Sequence, residues 1–269
     1  QYLRLMQTLG KAELFPWGVR GFGVVEAARM DPDEAGHPWA DRYRYRVEGQ
    51  GPEVRLIAPE AAVIMNSAVP YGYNDGAVWA GKGFTLAGRV GIAARYGPVS
   101  LTLAPEFFQA QNSDFDLHPS PRPGGDPFAN PAFPTTIDLP QRFGTGAYGR
   151  LTPGQSTLRV DLFGVAAGIS TANQHWGPVW DQPLLLGNNA EGFPHAFLGS
   201  SRPVNLWIGH LHGRVVWGTL TQSDYAAPQI TRTRRLMTGM VATFQPRNLP
   251  ELEVGGGRFF HQDWPAGGP

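Results

Sequence analysis

The hydrophobic pattern of this chain repeats every second residue, over runs long enough to leave few fold classes open. From Gly83 to Tyr96 the even positions Phe84, Leu86, Val90, Ile92, Ala94 and Tyr96 are apolar, while Thr85, Arg89 and Arg95 stand among small residues at the odd ones. Side chains alternate across a strand, so this spacing gives one greasy face and one polar face. Gly97-Pro98 suits a tight turn, and beyond it Val99, Leu101, Leu103 and Phe107 alternate with Ser100, Thr102 and Glu106. Together these runs predict a long hairpin. Leu158, Val160, Leu162 and Ala166 stand against Thr157, Arg159 and Asp161 in the same way. Trp207, Leu211, Val215 and Trp217 oppose His210, His212 and Arg214, and Leu236, Met240, Ala242 and Phe244 oppose Arg235 and Thr243. A further strand is expected from Leu252 to His261.

Length separates two all-β readings. Strands of soluble sandwiches and lipocalin-like barrels have a mode of about 5–6 residues, and both faces of longer ones would need covering. Several runs here reach the ~9–11 residues that cross a bilayer when tilted. Aromatic residues fall near the expected strand ends (Phe84, Tyr96, Trp207, Trp217, Phe244, Phe259, Phe260), as interfacial girdles require. Connections alternate between tight ones, such as Gly97-Pro98 and Pro246 to Pro250, and long ones, of which Asn112 to Gln141 is the longest and proline-rich. The expectation is an antiparallel transmembrane β-barrel of outer-membrane type over residues 51–269. Residues 1–50 differ: Tyr2 to Leu9 and Val24 to Met30 read as short helices, with Leu14-Phe15-Pro16-Trp17 and Pro38-Trp39 as aromatic anchors. Such a segment buries little alone and would serve as a helical plug at one barrel end.

Composition narrows the function classes. Charged residues are only 16%, against about 25% in ordinary soluble domains. The 22 basic and 22 acidic residues cancel, so the charge balance implies neither a nucleic acid nor an anionic membrane surface as a partner. With no cysteine, disulfides, thiolate metal sites and a cysteine nucleophile are excluded. No run of ~18 apolar residues is present for a transmembrane helix. The chain opens at Gln1 without a basic-then-apolar leader and stops soon after a strand-like segment, so it reads as a fragment of a longer barrel.

The segment from Ser170 to Pro203 carries the densest chemistry. Trp176, Trp180, Phe193 and Phe197 are interleaved with Asn173, Gln174, His175, Asn188, Asn189 and His195, and Gly and Pro break any regular element. Aromatic faces beside amide and imidazole groups suit a sugar ring, with its apolar C–H patches and many hydroxyls. A loop stapled by its own aromatics is the structural alternative. Asn74-Asp75-Gly76 has the same duality, being a strong turn former as well as a possible sugar contact. Asp75 and Lys82 could form an ion pair in the lumen. His210 and His212 share a strand face, where a polar lumenal role outweighs metal chelation. No cofactor or metal is called for. Asp75, Asp181 and Glu191 are the carboxylates an enzyme would need, but nothing marks two of them as a pair.

Two longer runs carry a resemblance. Asn66-Ser67 followed by Pro70-Tyr71-Gly72-Tyr73-Asn74-Asp75-Gly76-Ala77-Val78-Trp79-Ala80-Gly81-Lys82-Gly83 resembles a signature of the Wzi-like capsule assembly proteins. Gly168 to Pro178, with Leu186-Gly187-Asn188-Asn189, Gly192-Phe193-Pro194-His195 and Pro203, is similar to that family's second signature, about ninety residues further on. The resemblance implies an outer-membrane β-barrel lectin that is closed by a helical plug and holds capsular or related exopolysaccharide at the cell surface. It implies no enzymatic activity. Asn66, Asn74, Asp75, Trp79, Lys82, Asn173, His175, Trp176, Trp180, Asn188, Asn189, Phe193 and His195 would be its polysaccharide-binding or signature residues. Expected partners are the polysaccharide and outer-membrane lipid. A porin or glycan-export channel, and a glycan-acting enzyme, are the alternatives. The two signature loops, 66–82 and 170–203, are expected to fold inward and brace each other.

Overall fold

The computed structural model describes residues 18–20, 52–133, 137–179, 182–183, 185–225, 234–249 and 251–264. The helices expected within residues 1–50 lie outside the described residues, as do Trp180 and Asp181. No helix occurs among the described residues.

The strands are β1 (Val19–Arg20), β2 (Glu53–Asn66), β3 (Gly83–Tyr96), β4 (Val99–Leu103), β5 (Glu106–Ala110), β6 (Tyr148–Thr152) and β7 (Thr157–Leu162). They continue with β8 (Val165–Ser170), β9 (His175–Trp176), β10 (His195–Ser200), β11 (Val204–Leu206), β12 (Gly209–Thr221), β13 (Arg234–Pro246) and β14 (Val254–Asp263). All but β1 and β9 join one antiparallel twelve-stranded sheet, in which β2 forms one free edge and β14 the other. The barrel expected from the alternation is therefore not closed within the described strands.

Long strands appear where the alternation is unbroken: β2 and β3 span 14 residues each, and β12 and β13 span 13. Elsewhere proline divides a run that the alternation alone would make continuous. Pro105 separates β4 from β5, which both pair with β3, and Pro153-Gly154 separates β6 from β7. Pro203 lies between β10 and β11, which both pair with β12. Proline has no N–H to give to the ladder, so pairing lapses at each break and resumes in the same direction. Pro59 lies within the register shift between Ile57 and Glu60 on β2.

The two faces are inverted relative to a protein in water. On β3 Thr85, Ala87 and Ala93 are buried, while Phe84, Leu86, Val90 and Ile92 are exposed. Ser100, Arg159, Ser170, His212, Arg214, Thr243 and Gln245 are likewise buried on the inward face. Leu103, Leu158, Ile169, Leu198, Leu211, Trp217 and Met240 point outward and are exposed. Inward charges are paired, across strands or along one. Arg89 on β3 reaches Glu60 on β2 at 2.7 Å and Glu106 on β5 at 3.4 Å, and Arg159 binds Asp161 at 2.7 Å.

Tight turns gather at one end of the sheet and long connections at the other. The ends of β3 and β4, β7 and β8, β11 and β12, and β13 and β14 are joined at the first end; those of β2 and β3, β5 and β6, β8 and β10, and β12 and β13 lie at the second. Gly97 takes φ 56°, which a two-residue hairpin needs at its first central position. Outward aromatics stand toward both ends: Tyr96, Trp207 and Phe244 by the tight turns, Phe84, Trp217 and Trp264 by the long loops. Phe259 departs from the expectation. It pairs with Gly239 on the inward face, and only Phe260 of that pair looks outward, level with Thr238. On β14, Arg258 stands level with outward Met240, and its guanidinium lies 4.5 Å from the Phe260 ring.

An apolar core fills part of the inward side. Val19, Trp176, Phe197, Val216, Met237 and Val241 are buried together there, with Leu186, Phe193 and Leu220 packed against them. β1 and β9 form a small separate ladder in which Val19 pairs with Trp176. Inward glycines make room for the rings: a Cβ at Gly168 would lie 2.8 Å from Phe197 Cζ, and one at Gly218 2.7 Å from Phe193 Cδ2.

Candidate functional site

The long-loop end holds both signature segments, and they touch. Asn188 Nδ2 donates to the Asn74 carbonyl, and Gly76 N–H donates to the Asn188 carbonyl at 2.8 Å. The clasp depends on backbone with positive φ, 56° at Asn74 and 63° at Gly76, which Asn tolerates and Gly adopts freely. Asp75 between them is exposed, and its Oδ2 accepts the Tyr73 N–H at 2.8 Å. The carboxylate thus reaches back two residues to the backbone, so Asp75 shapes the loop. Lys82 does not meet Asp75: its Nζ donates to the Asp114 carbonyl at 2.9 Å. Asn66 closes the base of the loop by donating to the Tyr71 and Ala80 carbonyls, both at 2.9 Å.

The second segment is held by side-chain amides. Asn173 N–H donates to Gln155 Oε1 at 3.0 Å, Gln155 Nε2 donates to Asn173 Oδ1 at 2.7 Å, and Asn173 Nδ2 donates to the Ala190 carbonyl at 2.7 Å. His175 Nε2 is 3.1 Å from the Val179 carbonyl. Trp176 N–H donates to the Leu186 carbonyl at 3.0 Å, and its ring is buried in the inward core. His195 is also buried, with Nε2 3.1 Å from Gln174 Nε2 and Nδ1 2.7 Å from the Phe193 carbonyl. Gln174 Oε1 accepts from Arg214 Nη1 at 3.3 Å, so an amide links the imidazole to the arginine. His212 is 2.8 Å from Ser200 Oγ.

Most of the expected sugar contacts are thus engaged within the protein. Trp176, Asn173, Asn188 and His195 brace the loop, and Phe193 lies over Gly218. Asn189 is exposed.

Of an aromatic bed in the same mouth, the sequence singled out only Trp79. Phe143 stacks on Tyr148 with ring centroids 4.3 Å apart, and Trp79 meets the two edge-on at 5.1 and 5.8 Å. Tyr225 stands against Phe143 at 5.9 Å, and Phe108 against Tyr148 at 5.6 Å. Phe143, Tyr148, Trp79 and Tyr225 are each half-buried. Buried Arg142 fixes the loop beneath them by donating to the Asn112 carbonyl at 2.7 Å, while Asn112 Nδ2 donates to the Gly146 carbonyl at 2.6 Å. Arg150 and Glu191, 2.8 Å apart and partly exposed, join the sheet to the second signature loop. Half-open rings, a guanidinium and amides in one mouth are what a hydroxyl-rich, partly anionic chain needs for stacking and directional hydrogen bonds. Comparison of the chain with protein-family models, with curated proteins and with solved structures gives no match.

Proposed function

We propose that this chain forms much of an outer-membrane β-barrel lectin that holds capsular or related exopolysaccharide at the cell surface. One observation carries the membrane part: the outward face of the sheet is apolar and exposed, whereas its inward face is polar and buried. Each exposed Leu, Ile or Phe forgoes roughly 1.5–3 kcal/mol of burial in water, and a lipid solvent removes that deficit. Tight turns at one end and long loops at the other fit the same setting. Among the described residues there is no helix long and apolar enough to span a membrane, which has no bearing on spanning by strands.

The lectin part rests on the aromatic bed of Trp79, Phe143, Tyr148 and Tyr225 beside Arg150. In this reading the rings stack on sugar C–H faces, and Arg150 meets carboxylates of an acidic glycan. The apolar core on the inward face favours a closed holder over a wide channel. An enzymatic role finds less support, because Glu191 is bound by Arg150 and the Asp75 carboxylate is held by the Tyr73 N–H of its own loop.

The test is Tyr225→Ala in the full-length protein. Heat-modifiable gel mobility should show a folded barrel, while retention of polysaccharide on cells falls. Unchanged retention with this substitution and with Phe143→Ala would remove the bed from the reading. Passage of ions through the purified protein in planar bilayers would favour the channel.

A further inference from the structure

The outward face of the sheet is notched at its long-loop end. The β7, β8 and β10 strands end there at Thr157, Ser170 and His195, whereas β12 runs on to Thr221 and β13 begins opposite it at Arg234. Register places Leu101, Leu158, Ile169, Ala196 and Trp217 in one outward row, each paired with the next. Ala196 is the small member, so the surface dips between Ile169 and Trp217. The resulting groove has a volume of about 670 Å³ and is walled by Leu101, Leu158, Ile169, Trp217 and Leu236, with Trp264 among its lining. The exposed Arg234 stacks on Trp264, its guanidinium carbon 4.5 Å from the ring centroid. An apolar trough thus leads to an indole and a fixed cation at the level where strands give way to loops.

We infer that this groove seats one acyl chain of an anionic phospholipid, with its phosphate held by Arg234. The inference rests on the membrane-facing reading of the outward face. It goes further in assigning one specific lipid position, set by the dip at Ala196 and the cation at Arg234. Ordinary annular lipid would touch this face without regard to headgroup charge. A single arginine near a membrane surface is worth about 1 kcal/mol toward an acidic lipid, which is about a fivefold preference.

The experiment uses the full-length protein, first inserted into phosphatidylcholine vesicles and then taken into mild detergent for native mass spectrometry. Phosphatidylglycerol and phosphatidylcholine are titrated separately. One phosphatidylglycerol should remain bound at about fivefold lower lipid than one phosphatidylcholine. Arg234→Ala, a surface change, should bring the two lipids level. Ala196→Phe, which fills the dip, should weaken retention of both. Equal retention by the unaltered protein, or a preference that survives Arg234→Ala, overturns the lipid site while leaving the membrane reading intact. Failure of the protein to insert into the vesicles overturns both.

Discussion

Trp176 stands over Gly239: a Cβ there would fall 2.7 Å from its Cη2 atom. The contact joins the second signature loop to the inward face of β13, and only the absence of a side chain on the strand allows it. Gly239→Val should force the indole off its seat at a cost of about 1–3 kcal/mol, the range for overpacking. Chymotrypsin cleavage between residues 176 and 193 reads the effect, and an unchanged cleavage rate would deny that this contact holds the loop.

Asn188 and Gly76 should be separable contributors to the clasp. Asn188→Ala removes a side-chain donor and should cost about 1 kcal/mol. Gly76→Val both strains a backbone at φ 63° and drives a side chain toward Asn188 Oδ1, 3.0 Å from the added Cβ, so its effect should be larger. Cleavage after Glu191 by a glutamate-specific protease should accelerate in that order.

Outward and inward positions should differ in what they accept. Val90 is exposed near the middle of β3. Val90→Arg should cost about 2–4 kcal/mol when the protein is unfolded from vesicles by urea, as for a cation near the bilayer midplane. Val90→Leu should cost less than about 1.5 kcal/mol. If Val90→Arg is neutral, this face does not meet lipid.

Arg159 is 2% exposed and forms an ion pair with Asp161 on the same strand. Asp161→Ala should be severe, about 3–5 kcal/mol, because it leaves a guanidinium buried without that carboxylate. The double substitution Arg159→Met with Asp161→Leu should recover most of the loss. A double variant no more stable than the single one would show that the inward face needs the charges themselves.

The period-two pattern was readable because it is carried by whole runs of residues, and it put Thr85 and Arg214 inward and Leu158 and Trp217 outward, as the structure does; Ala166, read with Leu158, is instead buried inward, because the turn at 163–164 lies between them. It said little about β14, where Gly255-Gly256-Gly257 has no side chains to set the phase, and so Phe259 could not be assigned a face. Pro105, Pro153 and Pro203 were visible as letters, yet period alone reads through them. The amide staples of the signature loops could be foreseen as polar and ordered. The rings of Trp79, Phe143, Tyr148 and Tyr225 could not, since they are far apart in sequence and meet only once the loops are folded. Asn112 and Arg142 stayed hidden for the same reason: their partners are mostly backbone carbonyls, which leave no mark on a sequence.

Most pairings in the large sheet join strands that are near one another along the chain and the longest reach, Val99 to Val160, is 61 residues, whereas the bond from Asn188 to Asn74 spans 114. Closing a long loop carries an entropy cost before any contact repays it. The hairpins can therefore zip in sequence order while the mouth is still open, and the clasp is the last part to close.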